Sequence, residues 1–354
     1  MNIFNTKRPL IIAGPCSAET EEQVLQTAKK LSKQDVKIFR AGIWKPRTRP
    51  NNFEGVGSIG LEWLKKVKAE TGMLVTTEVA NTKHVYEAIK AGVDILWIGA
   101  RTTVNPFAVQ EIADAIKGMN IPVMIKNPVN PDIELWIGAI ERFQKVGIKN
   151  IAVIHRGFSS LSNSKYRNEP KWQIPIELRR RIENIPIICD PSHIAGRRDL
   201  LHEISQKAMD LNYDGLMIET HINPDVALSD AKQQITPDGL NKIINNLIIR
   251  HRKPTDAKSP NYIETLEELR TNIDEFDSFL IETISKRMQT AKKIGELKKK
   301  NKMTILQTGR WDSIVESAIK NGAKEGISEK FINTLYSAIH QESINKQSEV
   351  FKRL

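Results

Sequence analysis

The chain has 354 residues, 40% of them hydrophobic, and a formal net charge of +11. Its length exceeds one ordinary domain and suggests two. No apolar run approaches the ~18 residues of a membrane span, the opening MNIFNTKRPLIIAGP lacks a secretory pattern, and two cysteines make no disulfide framework. These features point to a reduced, cytoplasmic protein. Its basic balance suits anionic small substrates. No basic patch is interleaved with aromatics, so nucleic acid is disfavoured as a partner, as is a membrane.

From Pro9 to about Arg250, short apolar strands alternate with amphipathic helices. The pattern predicts strands at Leu10–Gly14, Val36–Arg40, Leu74–Glu78, Ile95–Gly99, Val123–Lys126, Ile151–His155, Ile187–Asp190 and Leu216–Glu219. Between them it predicts helical stretches such as Glu21–Lys33, Leu61–Thr71, Lys83–Ala91, Phe107–Lys117 and Ile133–Val146. Eight β-α units in about 240 residues have the size and count of a (β/α)8 TIM barrel. A doubly wound open sheet is the alternative. No strand runs into a glycine fingerprint of the dinucleotide type, which weighs against it.

Nearly every predicted strand ends in a chemically active group: Cys16, Arg40 with Lys45, Glu78, Arg101, Lys126, His155 with Arg156, His193, and Glu219. Singly, each is best explained as a solvated loop charge. Recurring together, they mark the face of a barrel where strand ends converge. Cys16, His193, Glu219 and Asp230 combine thiolate, imidazole and carboxylates, a set that suits a divalent transition metal rather than magnesium or calcium. Arg40, Lys45, Arg101, Lys126 and Arg156 are cations aimed at the same mouth and suggest phosphorylated substrates. KPRT, residues 45–48, adds Arg47 and Thr48 on a proline-stiffened turn. Cys189 sits in an apolar strand and reads as core. His84, His202 and His340 lie on helices without ligand partners and read as structural or exposed. His221, two past Glu219, reads as a supporting residue.

HRKPTDAKSP, residues 251–260, breaks the alternation and reads as a linker. Residues 261–354 beyond it carry no strand signal. Helices are expected at about Tyr262–Lys300, Arg310–Lys320 and Ser328–Phe351, the last capped by Ser328. Ile273, Leu280, Arg287 and Ile294 recur by heptads, with Arg287 as a cation inside an apolar stripe. Lys298 falls nearly on the same face and Arg270 does not. On the third helix, Ser343 and Gln347 interrupt the apolar side, which suggests a ligand pocket in a bundle.

The motifs AGPCS, FRAGIWKPRT, IGARTT, VMIKNP, HRG, DPSHIAGRRD and IETH with ALSD span the whole barrel region. With them the chain resembles 3-deoxy-D-arabino-heptulosonate 7-phosphate (DAHP) synthases of the type I-beta group. The resemblance implies that Cys16, His193, Glu219 and Asp230 bind the metal, manganese before iron, cobalt or zinc. It implies that Arg40, Lys45, Arg101, Lys126 and Arg156 bind phosphoenolpyruvate. Arg47 and Thr48 would hold the phosphate of erythrose 4-phosphate, whose aldehyde the metal activates for attack by the third carbon of phosphoenolpyruvate. Lys126 and metal-bound water are the candidate proton donors. The related 3-deoxy-manno-octulosonate 8-phosphate synthases are expected to lack KPRT, which therefore decides for the four-carbon sugar. The first strand begins near residue 10, so a regulatory domain ahead of the barrel is not expected.

Residues from about Ile263 to Phe351 resemble the all-helical chorismate mutases. That likeness implies a site of Arg270, Arg287, Lys298, Arg310, Ser343 and Gln347, with Arg270 reaching the other protomer's pocket in a homodimer or larger assembly. Catalysis would fall to Arg287, Lys298 and Gln347. This family often has an acidic residue directly after the second-helix arginine and another three before it. Trp311 and Gln307 stand there, which implies a weaker hold on the substrate hydroxyl. The fusion implies a bifunctional enzyme in which chorismate or prephenate on the helical domain restrains the barrel. A purely dimerising and sensing helical module is the alternative.

Overall fold

A computed structural model describes residues 3–4, 8–45, 52–160, 164–252, 260–306 and 308–352. The chain divides into two compact units, Met1–Arg250 and His251–Leu354.

In the first unit eight strands close into an all-parallel barrel in chain order, with β8 hydrogen-bonded back to β1. The strands are β1 Leu10–Gly14, β2 Ile38–Arg40, β3 Leu74–Val79, β4 Ile95–Ile98, β5 Val123–Lys126, β6 Ile151–His155, β7 Ile187–Cys189 and β8 Gly215–Glu219. The helices are α1 Glu21–Leu31, α2 Ile59–Thr71, α3 Thr82–Lys90, α4 Ala100–Thr103, α5 Pro106–Ala115, α6 Ile133–Lys145, α7 Gln173–Arg181, α8 Pro191–Ala195, α9 Leu201–Asp210 and α10 Pro237–Asn245. The strand side chains sort by parity, as a period of two requires. Leu10, Ile12, Ile38, Ile95, Trp97, Met124, Ile154, Ile188 and Met217 fill the barrel interior. The alternate residues, such as Ile11, Phe39, Leu96, Val153, Cys189 and Leu216, pack under the helices. Strands buried on both faces explain the near-continuous apolar runs.

Three expected strands are shorter than predicted, β4 among them, which ends at Ile98 because Gly99 caps α4. Val36 is buried but precedes β2. Asp190 leaves β7 to cap α8, accepting a hydrogen bond from the His193 backbone N–H. Two four- and five-residue helices, α4 and α8, were not anticipated, because segments that short carry no periodic signal. Gly14 is needed where β1 meets β2, since a Cβ there would lie 2.0 Å from the Arg40 carbonyl oxygen.

The second unit is helical among its described residues: α11 Pro260–Lys300, α12 Thr308–Lys324 and α13 Glu329–Lys352. Ser328 caps α13 by accepting from the Phe331 N–H. At 41 residues, α11 is about 60 Å long. Its C-terminal half, with Met288 and Ala291 buried, supplies this unit's packing. Ile273 and Leu280, expected in an apolar seam, are 57% and 50% exposed. They lie on the half of α11 where no residue is buried.

Candidate active sites

Continuing the inward parity one step beyond the apolar interior reaches the barrel's mouth. Arg40 follows Ile38 by two, Lys126 follows Met124, Arg156 follows Ile154, Asp190 follows Ile188 and Glu219 follows Met217. Each therefore leaves its strand facing the axis, above a floor of Trp97. Arg40 stacks 4.9 Å over the Trp97 ring, and Lys126 Nζ lies 5.9 Å from its centroid. Glu78 accepts a 2.9 Å bond from Trp97 Nε1. His155 has the opposite parity. It lies outside the barrel among Phe158, Trp172 and Tyr213, and so does not join Arg156 at the mouth.

Cys16 Sγ, a Glu219 oxygen and an Asp230 oxygen lie within 4.8 Å of one another. Cys16 Sγ is 3.4 Å from Asp230 Oδ2. His193 Nε2 is 3.7 Å from Glu219 Oε1 and 3.9 Å from Asp230 Oδ2. Its Nδ1 is 2.8 Å from Asp190 Oδ2, which orients the ring. Gln233 Nε2 donates to Glu219 Oε2 at 2.6 Å, while Glu219 Oε1 is buried with no hydrogen-bond partner. With no hydrogen bond and the Arg40 guanidinium at 3.5 Å, that buried carboxylate oxygen would be further stabilised by a bound cation. Burial, reinforced by Glu219 and Asp230 against Lys45 and Arg40, pushes the Cys16 thiol up to about 12. The proton on that thiol is one that a metal ion would displace. Asp230 sits at φ +48, a left-handed conformation that aspartate tolerates. These residues fit a thiophilic divalent metal.

The cations converge on the same mouth. Arg40 is 1% exposed, donates to the Cys16 carbonyl at 3.2 Å and lies 3.5 Å from Glu219 Oε1. Its Nε and Nη1 have no hydrogen-bond partner. Lys45 Nζ is 3.0 Å from both the carbonyl oxygen and Sγ of Cys16. Lys126 Nζ donates to Asp190 Oδ2 at 3.0 Å. Arg156 Nη1 donates to Asn168 Oδ1 at 2.6 Å. Burial, with Arg167 and Arg101 nearby, holds the Arg156 pKa below its ordinary value, so an anion there relieves it. Arg101 stands exposed on α4. Arg47 and Thr48 lie outside the described residues.

Sequence reasoning missed Asp190, Arg167 and Gln233. Arg167 Nη1 donates to Asp230 Oδ1 at 3.0 Å and to Gln233 Oε1 at 2.8 Å. Asp190 was legible, since its parity with Ile188 aims it inward. Arg167 and Gln233 lie on loops, where no period applies.

The helical unit holds a cavity of about 580 Å³ lined by Arg287, Lys298, Arg310, Ser343 and Gln347. Arg287 Nη1 donates to Ser343 Oγ at 2.6 Å, and Lys298 Nζ to the Ile305 carbonyl. Ser343 and Gln347 are buried, and Gln347 Oε1 has no partner. Arg270 does not line this cavity; it pairs with Glu267 on its own helix at 2.6 Å. Among the described lining residues there is no carboxylate. Gln307 lies outside them.

Comparison with known proteins agrees with both halves. The DAHP synthetase I family profile matches residues 2–249, and the chorismate mutase type II profile matches residues 269–348. A phospho-2-dehydro-3-deoxyheptonate aldolase of Thermotoga maritima is 34% identical over 247 residues, covering 70% of each chain. A 2-dehydro-3-deoxyphosphooctonate aldolase of Wolinella succinogenes is 29% identical over 265 residues, covering 68% of this chain and 98% of its own. The crystal structure of the Thermotoga maritima DAHP synthase matches with a TM-score of 0.61 and 32% identity, covering 67% of both chains.

Proposed function

The chain belongs to the DAHP synthetase I family and carries a chorismate mutase type II domain after the barrel, a transferase joined to an isomerase, and we propose the substrates and the division of labour that follow. The barrel condenses phosphoenolpyruvate with erythrose 4-phosphate, consuming one water, to give DAHP and phosphate. The helical domain rearranges chorismate to prephenate. The observation that carries the barrel reading is the inward-facing ring of Arg40, Lys126 and Arg156 around Cys16, Glu219 and Asp230.

Cys16, His193, Glu219 and Asp230 hold a divalent transition metal, manganese foremost; the mixed donor set and the orphaned Glu219 oxygen support this. Such an ion, when bound, supplies Lewis acidity toward a carbonyl oxygen. Arg40, Lys45, Arg101, Lys126 and Arg156 take the carboxylate and phosphate of phosphoenolpyruvate. Lys126, fixed by Asp190, donates a proton to the forming alkoxide. Arg47 and Thr48 of KPRT grip the sugar phosphate, which favours the four-carbon aldehyde.

In the helical pocket, Arg287, Lys298 and Arg310 hold the two carboxylates of chorismate in a compact conformer. The exposed apolar face of α11 supports a homodimer, which would bring Arg270 to the partner's pocket. Prephenate on this domain restrains the barrel. The protein works in the cytoplasm; no described helix is long and apolar enough to cross a membrane.

The deciding experiment is phosphate release from phosphoenolpyruvate. Release is expected with erythrose 4-phosphate, only marginally with arabinose 5-phosphate, and not after complete chelation. Preference for the five-carbon sugar, or full activity without metal, would overturn the barrel reading.

A further inference from the structure

Trp311 and His340 stack in the helical pocket with ring centroids 3.9 Å apart and planes 18° from parallel. Both rings line the cavity. Trp311 is on α12 and His340 on α13, so the stack ties two helices together across one wall. It also fixes the imidazole far more firmly than a lone half-buried histidine would be fixed.

The pocket's hydrogen-bonding inventory is lopsided. Arg287, Lys298 and Arg310 only donate. The Ser343 hydroxyl accepts from Arg287 and donates to the Ile339 carbonyl, which takes its proton and one of its two lone pairs and turns it toward its own helix. The Thr290 hydroxyl donates to its own helix at the Lys286 carbonyl. Gln347 Oε1 is the other unpartnered acceptor among the described lining residues, but that side chain is buried against Gly295 of α11, where a Cβ on the glycine would come within 3.1 Å of it, so it cannot swing across to the His340 wall. Partial burial, and then the Arg287 charge, hold the His340 pKa below its ordinary value. The ring is therefore neutral at physiological pH and keeps a nitrogen lone pair.

Chorismate carries two carboxylates, an ether oxygen and one ring hydroxyl. The cations answer the carboxylates, and a Gln347 N–H suits the ether oxygen. The hydroxyl proton needs an acceptor, and no carboxylate among the described lining residues offers one. We propose that His340, clamped against Trp311, accepts the hydrogen bond of the substrate's ring hydroxyl. Trp311 is a positioning residue that acts through His340. This inference rests on the mutase reading above and gives that pocket a specificity element.

The test uses the full chain with chorismate and with its analogue lacking the ring hydroxyl. His340→Leu is expected to lower kcat/KM for chorismate about tenfold, the scale of one lost hydrogen bond, and to leave the deoxy analogue's value unchanged. His340→Gln, which keeps an acceptor, recovers part of the loss. Trp311→Ala reproduces the His340→Leu pattern, while Trp311→Phe stays near wild type. An equal loss for both compounds, or no loss for either, overturns the inference and leaves the mutase reading standing. A wild-type chain that does not turn over chorismate overturns both.

Discussion

His155 ends β6 with its ring packed between Phe158, Trp172 and Tyr213 outside the barrel. Its Nε2 is 2.6 Å from the Pro170 carbonyl, which only accepts, so Nε2 carries the proton. Nδ1 is then the acceptor for the Tyr213 hydroxyl at 2.9 Å. Burial pulls its pKa from 6.5 to about 4. The unfolded chain therefore binds the extra proton first as pH falls. The stabilisation is complete above about pH 6.5 and lost on the way to about pH 4. At pH 5 this residue alone should cost the barrel about 2 kcal/mol relative to pH 8. Urea unfolding of wild type and His155→Gln at both pH values measures it; the same pH effect in both proteins would rule the assignment out. Parity makes such outcomes legible, because a residue two past an interior position faces the mouth and one past it faces the helices. By that rule Cys189 is core, Arg156 is at the mouth, and Asp190 belongs with the site. The Arg167 bond to Asp230 was not legible, because it joins two loops whose approach depends on the closed barrel.

At the scale of elements, the alternation of strand and helix carried enough information to give the barrel, because each strand is buried on both faces and each long helix has one apolar side. It did not carry α8, whose five residues turn on the Asp190 cap and place His193. Helix α11 differs in kind. Its heptad positions imply a seam, yet Ile273, Phe276 and Leu280, spaced by three and four, are each at least half exposed. An apolar stripe of that length on a 41-residue helix fits the dimer surface proposed above. Two charges on the stripe, Phe276→Glu with Leu280→Glu, are expected to halve the particle mass seen by sedimentation equilibrium. Losing Arg270 from the partner's pocket should also weaken chorismate turnover, while phosphate release by the barrel continues. An unchanged mass would rule out α11 as the dimer surface.

Across the whole molecule, every organic substrate proposed for either half is a polyanion, and a chain with net charge +11 suits both. Under the regulation proposed above, the two halves answer to one another. If prephenate in the helical pocket restrains the barrel by lowering its affinity for phosphoenolpyruvate, linkage requires the reverse with the same factor. A coupling of about 1–3 kcal/mol, typical of such systems, amounts to about 5- to 150-fold in affinity. The expected result is therefore quantitative. Calorimetric titration of prephenate into the metal-loaded protein should give a Kd that rises when phosphoenolpyruvate is saturating. The rise should match the loss of phosphoenolpyruvate affinity measured with saturating prephenate. Arg287→Ala, which removes a cation from the pocket, should weaken prephenate binding in both states and raise the concentration needed to inhibit phosphate release. Equal prephenate affinity with and without phosphoenolpyruvate would show that the helical domain does not act on that binding step, and any inhibition of the barrel would have to come through turnover.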